Sequence, residues 1–516
     1  MVRQIFAHQP NRKFVRCLLV SEKTFRLVHF DRSGAEVSQR FNIHAHYAEF
    51  VRIVVALASP DEAAIGFDTS IQWTIDPLTG RKIAGTLQSR QRTNGRKRAT
   101  KKTYYLVEVH PIARHIIRGR ATTCWLVAEV PENWTQTFVV KDSWTSAGRT
   151  EEQFLLVQAA ELKLQGVCEY VSHETKRGET KDFRSDGSKN NILFSNRVAA
   201  RVIFKAYGKH LQSFKTTLQL LMALYDAISG HAQLSVVAKI LHRDINDTNV
   251  LLGLEDASVG WRGVLIDLGV ATRLGRTTSD IVKEARTGSR FFQSCSILSY
   301  LTDLTKEVAP AHCYLDDLEG FLYLLCRIFL TQTPDGAARL EADPAMRIIR
   351  KWDSEDAEVA HESKCKIFNS GCRDKNLAIG YIKESWGGAC AMLFRKFVEW
   401  IGHIQVERKC SATNMALRTL ARKASTNPSW TRSHHTTPKC LHFSTRQSWL
   451  WGASAQRSRA TCRPLHLLLH SSGRSPAQLS ARVHAHSLVR MVDFSTIYRT
   501  CAVDTSYMYI CVHFWD

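Results

Sequence analysis

Two short loops, each next to an apolar strand, place the strongest limits on the fold and the kind of site that this chain can form. Segment 241–252 reads Leu-His-Arg-Asp-Ile-Asn-Asp-Thr-Asn-Val-Leu-Leu, so Asn249 follows Asp244 by five positions and an apolar strand comes next. Segment 264–269 is a second apolar strand that ends in Asp-Leu-Gly. An isolated His-Arg-Asp carries little information. The full loop followed by a strand-borne Asp-x-Gly is typical of a phosphoryl-transfer site.

The spacing of these polar residues fits phosphoryl transfer from ATP. That reaction needs positioning, charge neutralisation and a carboxylate beside the attacking hydroxyl. We predict that Asp244 is the catalytic base and that Asn249 and Asp267 hold Mg2+, an ion that prefers oxygen ligands. Many kinases carry Lys two residues after the catalytic Asp, where this chain has Asn246. Positive charge for the transferred phosphate must then come from elsewhere.

The expected nucleotide-binding strands lie upstream. Residues 124–130 and 138–141 are apolar runs separated by Pro-Glu-Asn, a pattern that predicts a hairpin. Lys141 ends the second run, where a lysine can bind the α- and β-phosphates of ATP. Such a lysine needs a carboxylate partner on a nearby helix.

A helix is predicted from 151 to 164, with an apolar stripe that includes Leu155 and Leu156. Glu152 precedes these leucines by three and four positions and therefore projects from the same face. A carboxylate that faces the core usually has a cation partner. We predict that Glu152 pairs with Lys141, with Glu151 as the alternative.

Two weaker features complete the predicted nucleotide site. Gly119 lies in a degenerate glycine loop whose backbone amides could cover phosphates, with charge added by Arg118 or Arg120. Adenine is expected to bond the backbone of an extended hinge between Phe204 and Ala206. The hinge is inferred from the order of the segments alone.

Downstream segments fit the same plan. Thr287 or Ser289 is a candidate phosphosite in an activation segment, and an unmodified, substrate-shaping turn is the alternative. An apolar helix to Leu330 follows, and Asp317 near its start is expected to anchor the backbone of the catalytic loop. His242 and Arg243 are predicted to have structural roles in that loop.

Taken together, the chain resembles the fungal-type protein kinases over roughly residues 25 to 405. The segments that carry the resemblance are Phe30–Gly34, Gly66–Thr69, Val140–Trp144, Arg149, Glu151–Glu152, Gly166–Val167, Asp226–Ile228, Gly230–His231, Leu241–Asn249, Arg286–Ser289 and Asp316–Glu319. This family tolerates a small polar residue at the position of Asn246. The resemblance implies an ATP- and Mg2+-dependent phosphotransferase, and the choice of Ser/Thr over Tyr rests on it.

The resemblance also implies an α+β, bilobal protein kinase-like fold, with a small β-rich N-lobe and a larger helical C-lobe. The predicted divisions are a family-specific N-terminal region, a basic linker, the N-lobe with hinge, the C-lobe and an anomalous tail. Their bounds are 1–87, 88–103, 104–208, 209–405 and 406–516.

Composition supports a folded, reduced protein. A hydrophobic content of 44% suits a globular core, and the 14 cysteines show no C-x-x-C spacing that would indicate a zinc ribbon. We expect a cytoplasmic or nuclear location because we find no signal peptide and no run of transmembrane length. The expected partner is a protein substrate of unknown identity, with no membrane involved.

The net charge of +22 raises the question of nucleic-acid binding. Run 90–102 is strongly basic and is either a targeting or phosphate-binding patch or a solvated loop. We do not expect a nucleic-acid partner, although this run leaves the question open. The tail 406–516 is expected to be disordered or mistranslated. From about residue 427 it lacks periodicity, which suggests an out-of-frame or intronic translation; a genuine basic extension is the alternative.

Two other functions stay open at this stage. A non-catalytic kinase-fold scaffold is compatible with the meagre glycine loop and the unusual tail. A small-molecule phosphotransferase would share the Asp-x4-Asn loop. Such enzymes often lack an activation segment and the helix that begins near Asp317, and both features are expected here.

Overall fold

A computed structural model describes residues 2–91, 100–113, 116–148, 151–175, 177–189, 192, 194–274, 288–302, 312–369 and 371–406. The predicted tail lies outside these ranges except for its first residue. The helices are α1 (Val2–His8), α2 (Tyr47–Leu57), α3 (Glu152–Glu161), α4 (Asp186–Lys189), α5 (Thr217–Val236), α6 (Cys295–Thr302), α7 (Tyr314–Thr331), α8 (Ala357–Phe368), α9 (Arg373–Trp386) and α10 (388–406). None of the helices within these ranges combines the length and apolar character that a bilayer span requires.

The strands form a mixed α/β architecture with these helices. They are β1 (Val15–Val20), β2 (Thr24–Asp31), β3 (Gly34–Val37), β4 (Phe41–Asn42), β5 (Ile71–Ile75), β6 (Lys82–Gln91), β7 (Thr100–Leu106), β8 (Ile112–Ala113), β9 (Thr123–Ala128), β10 (Thr137–Ser146), β11 (Tyr170–Glu174), β12 (Arg197–Lys205), β13 (Ile240–Leu241), β14 (Val250–Leu252), β15 (Gly263–Leu265) and β16 (Thr272–Arg273). In a small sheet at the start of the chain, β2 pairs with β1, β3 and β4.

The largest sheet of the described chain carries the predicted nucleotide-binding strands. Its order is β11-β12-β10-β9-β7-β6-β5, with β8 paired to β9, and neighbouring strands are antiparallel. β9 and β10 form the predicted hairpin, with Lys141 opposite Cys124. Trp125, Val127 and Val140 are buried in one apolar cluster. Because side chains alternate along a strand, Lys141 points to the other face from Val140.

The described ends of segment 88–103 lie in this sheet, because residues 88–91 end β6 and residues 100–103 begin β7. The division of the chain at this segment stays a prediction. β6 and β7 enter the segment from its two ends and pair with each other. Leu87 and Ser89 are buried along β6, whereas Arg90 is exposed. Arg90 therefore lies on the solvent side of β6, since side chains alternate along a strand. Residues 92–99 lie outside the described ranges.

The helical part of the described chain is built around α7. Every residue from Asp316 to Leu330 except Arg327 is buried, and α7 contacts α5 and α9. A helix that is buried on all sides belongs in a core. The buried carboxylates at its start must therefore find partners inside the protein.

Short strand pairs bring the two predicted loops together. β13 pairs with β16, and β14 pairs with β15. The loop that contains Asp244 joins β13 to β14, and the loop that contains Asp267 joins β15 to β16. The N–H of Ile266 donates to the carbonyl of Asn249 at 3.0 Å, so the loops are direct neighbours.

The packing of β15 against α5 can be tested at Gly263. A Cβ at this position would lie 1.8 Å from the carbonyl oxygen of Ala223 in α5. Gly263→Ala should therefore lower the free energy of unfolding by about 2 kcal/mol or more, measured by urea denaturation.

The matched control is Gly380→Ala on α9, where a Cβ meets nothing within 4 Å. This helical position is exposed, so the change should raise stability by up to about 1 kcal/mol. Equal effects of the two substitutions would contradict the close approach of β15 and α5.

Candidate active site

Asp317 of α7 holds the backbone of the loop that carries Asp244. Its carboxylate accepts the N–H groups of His242 and Arg243 at 3.0 and 2.9 Å. Arg243 has φ +68°, a left-handed conformation that is costly for a residue with a side chain. His242 Nε2 lies 3.0 Å from the carbonyl oxygen of Ile266. The loop conformation thus depends on a buried carboxylate more than seventy positions downstream.

The surroundings of Asp317 keep it ionised. Burial alone would raise the pKa of Asp317, but hydrogen bonds from His231 and His312 hold it well below its usual range. The Nε2 atoms of these histidines lie 3.0 and 3.2 Å from the carboxylate. An ionised carboxylate can accept all of these donors at once.

Asp244 is oriented by the side chains of its own loop. Asn246 Nδ2 donates to Oδ1 at 2.9 Å, and Asn249 Nδ2 donates to Oδ2 at 3.1 Å. Asn246 Oδ1 in turn accepts the N–H of Thr248 at 2.8 Å. Asn246, which the sequence marks only as a departure from lysine, therefore positions the carboxylate of Asp244.

Lys141 lies at the centre of a buried charge cluster. Its Nζ donates to Oε1 and Oε2 of Glu152 at 2.9 and 2.7 Å, and to Oδ1 of Asp267 at 2.7 Å. This one amine joins β10, α3 and the loop after β15. The contact is with Glu152 and not with the alternative Glu151, which precedes α3 and accepts a hydrogen bond from Gln153.

Each charge of the cluster stabilises the others. Burial lowers the pKa of Lys141, but Asp267 and Glu152 raise it above its usual range. Burial alone would raise the pKa of Asp267, yet Lys141 and Arg120 hold it below its usual range. Lys141 is therefore a cation and Asp267 an anion at neutral pH. These are the charges that suit contact with phosphate and with a divalent cation, respectively.

The loop between β8 and β9 reaches the site through Arg120. The Nη1 of Arg120 lies 3.6 Å from Oδ1 of Asp267. Gly119 has φ +142°, a conformation that favours glycine, but its N–H donates to the carbonyl of Arg32 at 3.0 Å. That amide is therefore used within the protein. The contribution of this loop to the site is the positive charge of Arg120.

Sequence reasoning missed the role of Arg32. This buried side chain donates to the carbonyl of Ile116 at 2.9 Å and to that of Arg12 at 3.1 Å. The small sheet at the start of the chain is thereby tied to the loop that carries Gly119. Arg32 and Ile116 are 84 positions apart, so no local pattern could have indicated the contact.

The predicted hinge, residues 204–206, is extended and packs beside other strands. Phe204 lies in β12 as expected, beside Val139 of β10. The N–H of Lys205 donates to Glu169, however, and the N–H of Ala206 donates to Thr137, both at 3.1 Å. Neighbouring strands use these two amides, so an adenine contact of this backbone would fall on its other polar groups. The contact itself stays a prediction.

Of the two candidate phosphosites, Thr287 lies outside the described residues. Ser289 is exposed and lines a cleft with Asp244, Gly288 and His312. Its carbonyl accepts the N–H of Phe292 and so closes a short helical turn. Ser289 thus stands beside the carboxylate predicted to face an acceptor hydroxyl.

The strands and helices that assemble these loops around a buried Lys–Glu pair are compatible with a kinase-like fold. The family model described as fungal protein kinase matches residues 1–329. The chain belongs to the fungal protein kinase family. The match begins earlier than the resemblance noted in the sequence, includes the small N-terminal sheet and ends within α7. A search of curated proteins returned no match.

Removal of the charge of Asp317 should destabilise the fold. Asp317→Asn presents an amide to groups that all donate, so we expect a loss of about 3–5 kcal/mol in the free energy of unfolding, measured by urea denaturation at pH 7. Asp335→Asn, on an exposed residue, is the control and should leave the urea midpoint unchanged.

The effect should depend on pH. The folded pKa of Asp317 is lowered from an ordinary 3.8, so its contribution is present above that pH and is lost as the pH falls towards the folded value. The difference between wild type and Asp317→Asn should therefore shrink under acid conditions. A difference that stays constant from pH 7 to pH 3 would contradict the assignment.

Proposed function

We propose that this chain is an ATP-dependent protein kinase that transfers the γ-phosphoryl group to Ser or Thr hydroxyls of a protein substrate. Membership of the fungal protein kinase family supports the class of reaction. The observation that carries the proposal is the contact of one buried lysine amine with both Glu152 and Asp267. A purely structural lysine would need only one carboxylate to be neutralised.

The proposed architecture is bilobal. The large sheet with α3 forms the smaller lobe and supplies Lys141 and Glu152. The helical part around α7 forms the larger lobe and supplies the loops of Asp244 and Asp267. ATP is placed between them, with Lys141 on its α- and β-phosphates.

The residues present fit a Mg2+ ion. Asp267 is held anionic, and Asn249 adds an amide oxygen from the neighbouring loop; oxygen donors of this kind are what Mg2+ prefers. Asn249 and Asp267 would hold the ion, which when bound neutralises charge on the phosphates.

In the proposed reaction, the hydroxyl oxygen of the substrate forms a bond to the γ-phosphorus as the bond to the ADP oxygen breaks. Asp244 accepts the hydroxyl proton through its carboxylate and holds the nucleophile in line. Asn246 and Asn249 fix the rotamer of Asp244, and Asp317 fixes the loop beneath it. The charge that many kinases draw from a loop lysine would come from Arg120.

A second candidate function is that of a non-catalytic scaffold. One observation favours it: the carboxylate of Asp267 already contacts Lys141 at 2.7 Å and Arg120 at 3.6 Å. A carboxylate neutralised by two cations has less need of a metal ion. Under this alternative the chain would bind partners without transferring phosphate.

Transfer of labelled phosphate by the full chain tests the proposal. The protein is incubated with γ-labelled ATP, Mg2+ and basic or acidic protein substrates, and autophosphorylation is measured in the same samples. Asp244→Ala should lower transfer by about 100-fold or more, because the positioned base is lost. Binding of ATP should be retained, since Asp244 faces the acceptor and not the nucleotide.

Asp335→Ala, on an exposed loop, is the matched aspartate control and should keep full transfer. Equal transfer by wild type and Asp244→Ala would refute the catalytic assignment. ATP binding without any transfer to any substrate would favour the scaffold.

A further inference from the structure

Two cysteines and one histidine meet outside the candidate active site. Cys295 begins α6, and His361 and Cys365 lie one turn apart on α8. The Sγ of Cys365 is 3.8 Å from the Sγ of Cys295 and 3.5 Å from Nε2 of His361. The three donor atoms all lie within 4.8 Å of one another. None of them has a role in the proposed phosphoryl transfer.

Two of the three ligand spacings, both to Cys365, match one metal ion with tetrahedral ligands, and the third lies within 4.8 Å. Two thiolates that bind the same Zn2+ at about 2.3 Å are about 3.8 Å apart, and a thiolate and an imidazole are about 3.5 Å apart. A disulfide would bring the sulfurs to about 2.05 Å. At 3.8 Å, the sulfurs of Cys295 and Cys365 stand at the separation of shared metal ligands.

The local structure explains how the ligands converge. Residues four apart on a helix share one face, so α8 presents His361 and Cys365 together. Cys295 comes from the chain that follows Ser289, seventy positions before Cys365. Cys295 is buried, whereas the two residues on α8 are half-buried, which leaves an entry path for an ion.

The same helix already holds the neighbouring backbone. Lys364, fully buried on α8, donates from Nζ to the carbonyls of Arg290 and Gln293 at 2.9 and 2.7 Å. A metal ion bound by Cys295 would add a second link between residues 288–295 and α8. The segment leads from the cleft beside Asp244 into α6, so its position bears on where a substrate can lie.

We propose that Cys295, His361 and Cys365 bind a soft transition-metal ion of the Zn2+ class, and that the ion fastens the segment after Gly288 to α8. Thiolate and imidazole ligands select such metals over Mg2+ and Ca2+. Three protein ligands among the described residues leave one coordination position for water or a further ligand.

The proposal is tested by metal analysis of the full chain. The protein is stripped with a chelator and titrated with Zn2+, and with Co2+ as a spectroscopic probe. We expect about one equivalent of bound metal and the visible absorption bands of a tetrahedral cobalt thiolate. Cys365→Ser and His361→Gln should each weaken binding at least about 100-fold, because each removes a ligand.

Cys372→Ser is the matched control, since Cys372 is a half-buried free thiol at the start of α9. This variant should bind metal as wild type does. Unchanged binding in all three variants, or absorption bands without thiolate charge transfer, would overturn the proposal.

A measurement on the wild-type chain avoids any dependence on the folding of variants. Alkylation of cysteines is followed by peptide mass spectrometry with and without Zn2+. The ion should protect Cys295 and Cys365 and leave the rate at Cys372 unchanged. A disulfide between Cys295 and Cys365 in the protein isolated under reducing conditions, or equal alkylation with and without Zn2+, would refute the site. Neither readout depends on kinase activity, so this test and that of the proposed function fail independently.

Discussion

The buried amine of Lys141 is the interaction on which the candidate site depends. A lysine in the interior is costly unless hydrogen-bond acceptors or opposite charges replace its lost hydration. Glu152 and Asp267 both supply that charge within 3 Å, from a helix and from a loop far along the chain. Loss of the lysine would leave Glu152 without its cation and Asp267 with Arg120 alone, and the loss of one partner of a buried ion pair typically costs about 3–5 kcal/mol. The contacts of Lys141 with Glu152 and Asp267 therefore stabilise the fold and also keep Lys141 cationic and Asp267 anionic.

A second buried charge, that of Asp317, holds the loop that carries Asp244. Asp317 accepts the backbone N–H groups of His242 and Arg243, and its carboxylate also lies within hydrogen-bond distance of two histidines. It fixes a strained loop to the most buried helix of the described chain. Asp244 lies at a cleft, and the side-chain amides of Asn246 and Asn249 set its rotamer. Lys141 and its carboxylate partners thus set the charges of the site, whereas Asp317 sets the backbone of the loop that carries Asp244.

Sequence reasoning located the features that depend on short spacings. The hairpin of β9 and β10 follows from two apolar runs around a turn, and helix α3 with Glu152 follows from helical period. The position of Asp317 follows from the helix that kinases carry after the activation segment. These patterns are local, because buried and exposed positions repeat every two residues in strands and every three to four in helices.

The features that were missed depend on contacts between distant segments. Arg32 binds a loop more than eighty positions away, and the basic residues at the end of β6 and the start of β7 hid the pairing of these two strands. The cluster of Cys295, His361 and Cys365 has no spacing that resembles a known metal motif, since its members meet only through packing of α6 against α8. Asn246 was noticed for the charge it lacks, whereas its hydrogen bonds to Asp244 became visible only in three dimensions.

The most direct test of this account is calorimetric titration of the full chain with ATP in the presence of Mg2+, for wild type and for Lys141→Met checked by circular dichroism to be folded. We predict binding of one nucleotide by wild type and affinity at least about tenfold weaker in the variant, because a charge-assisted hydrogen bond to phosphate is lost. Equal affinity of the two proteins, or no binding by wild type, would show that the charge cluster around Lys141 is not a nucleotide site.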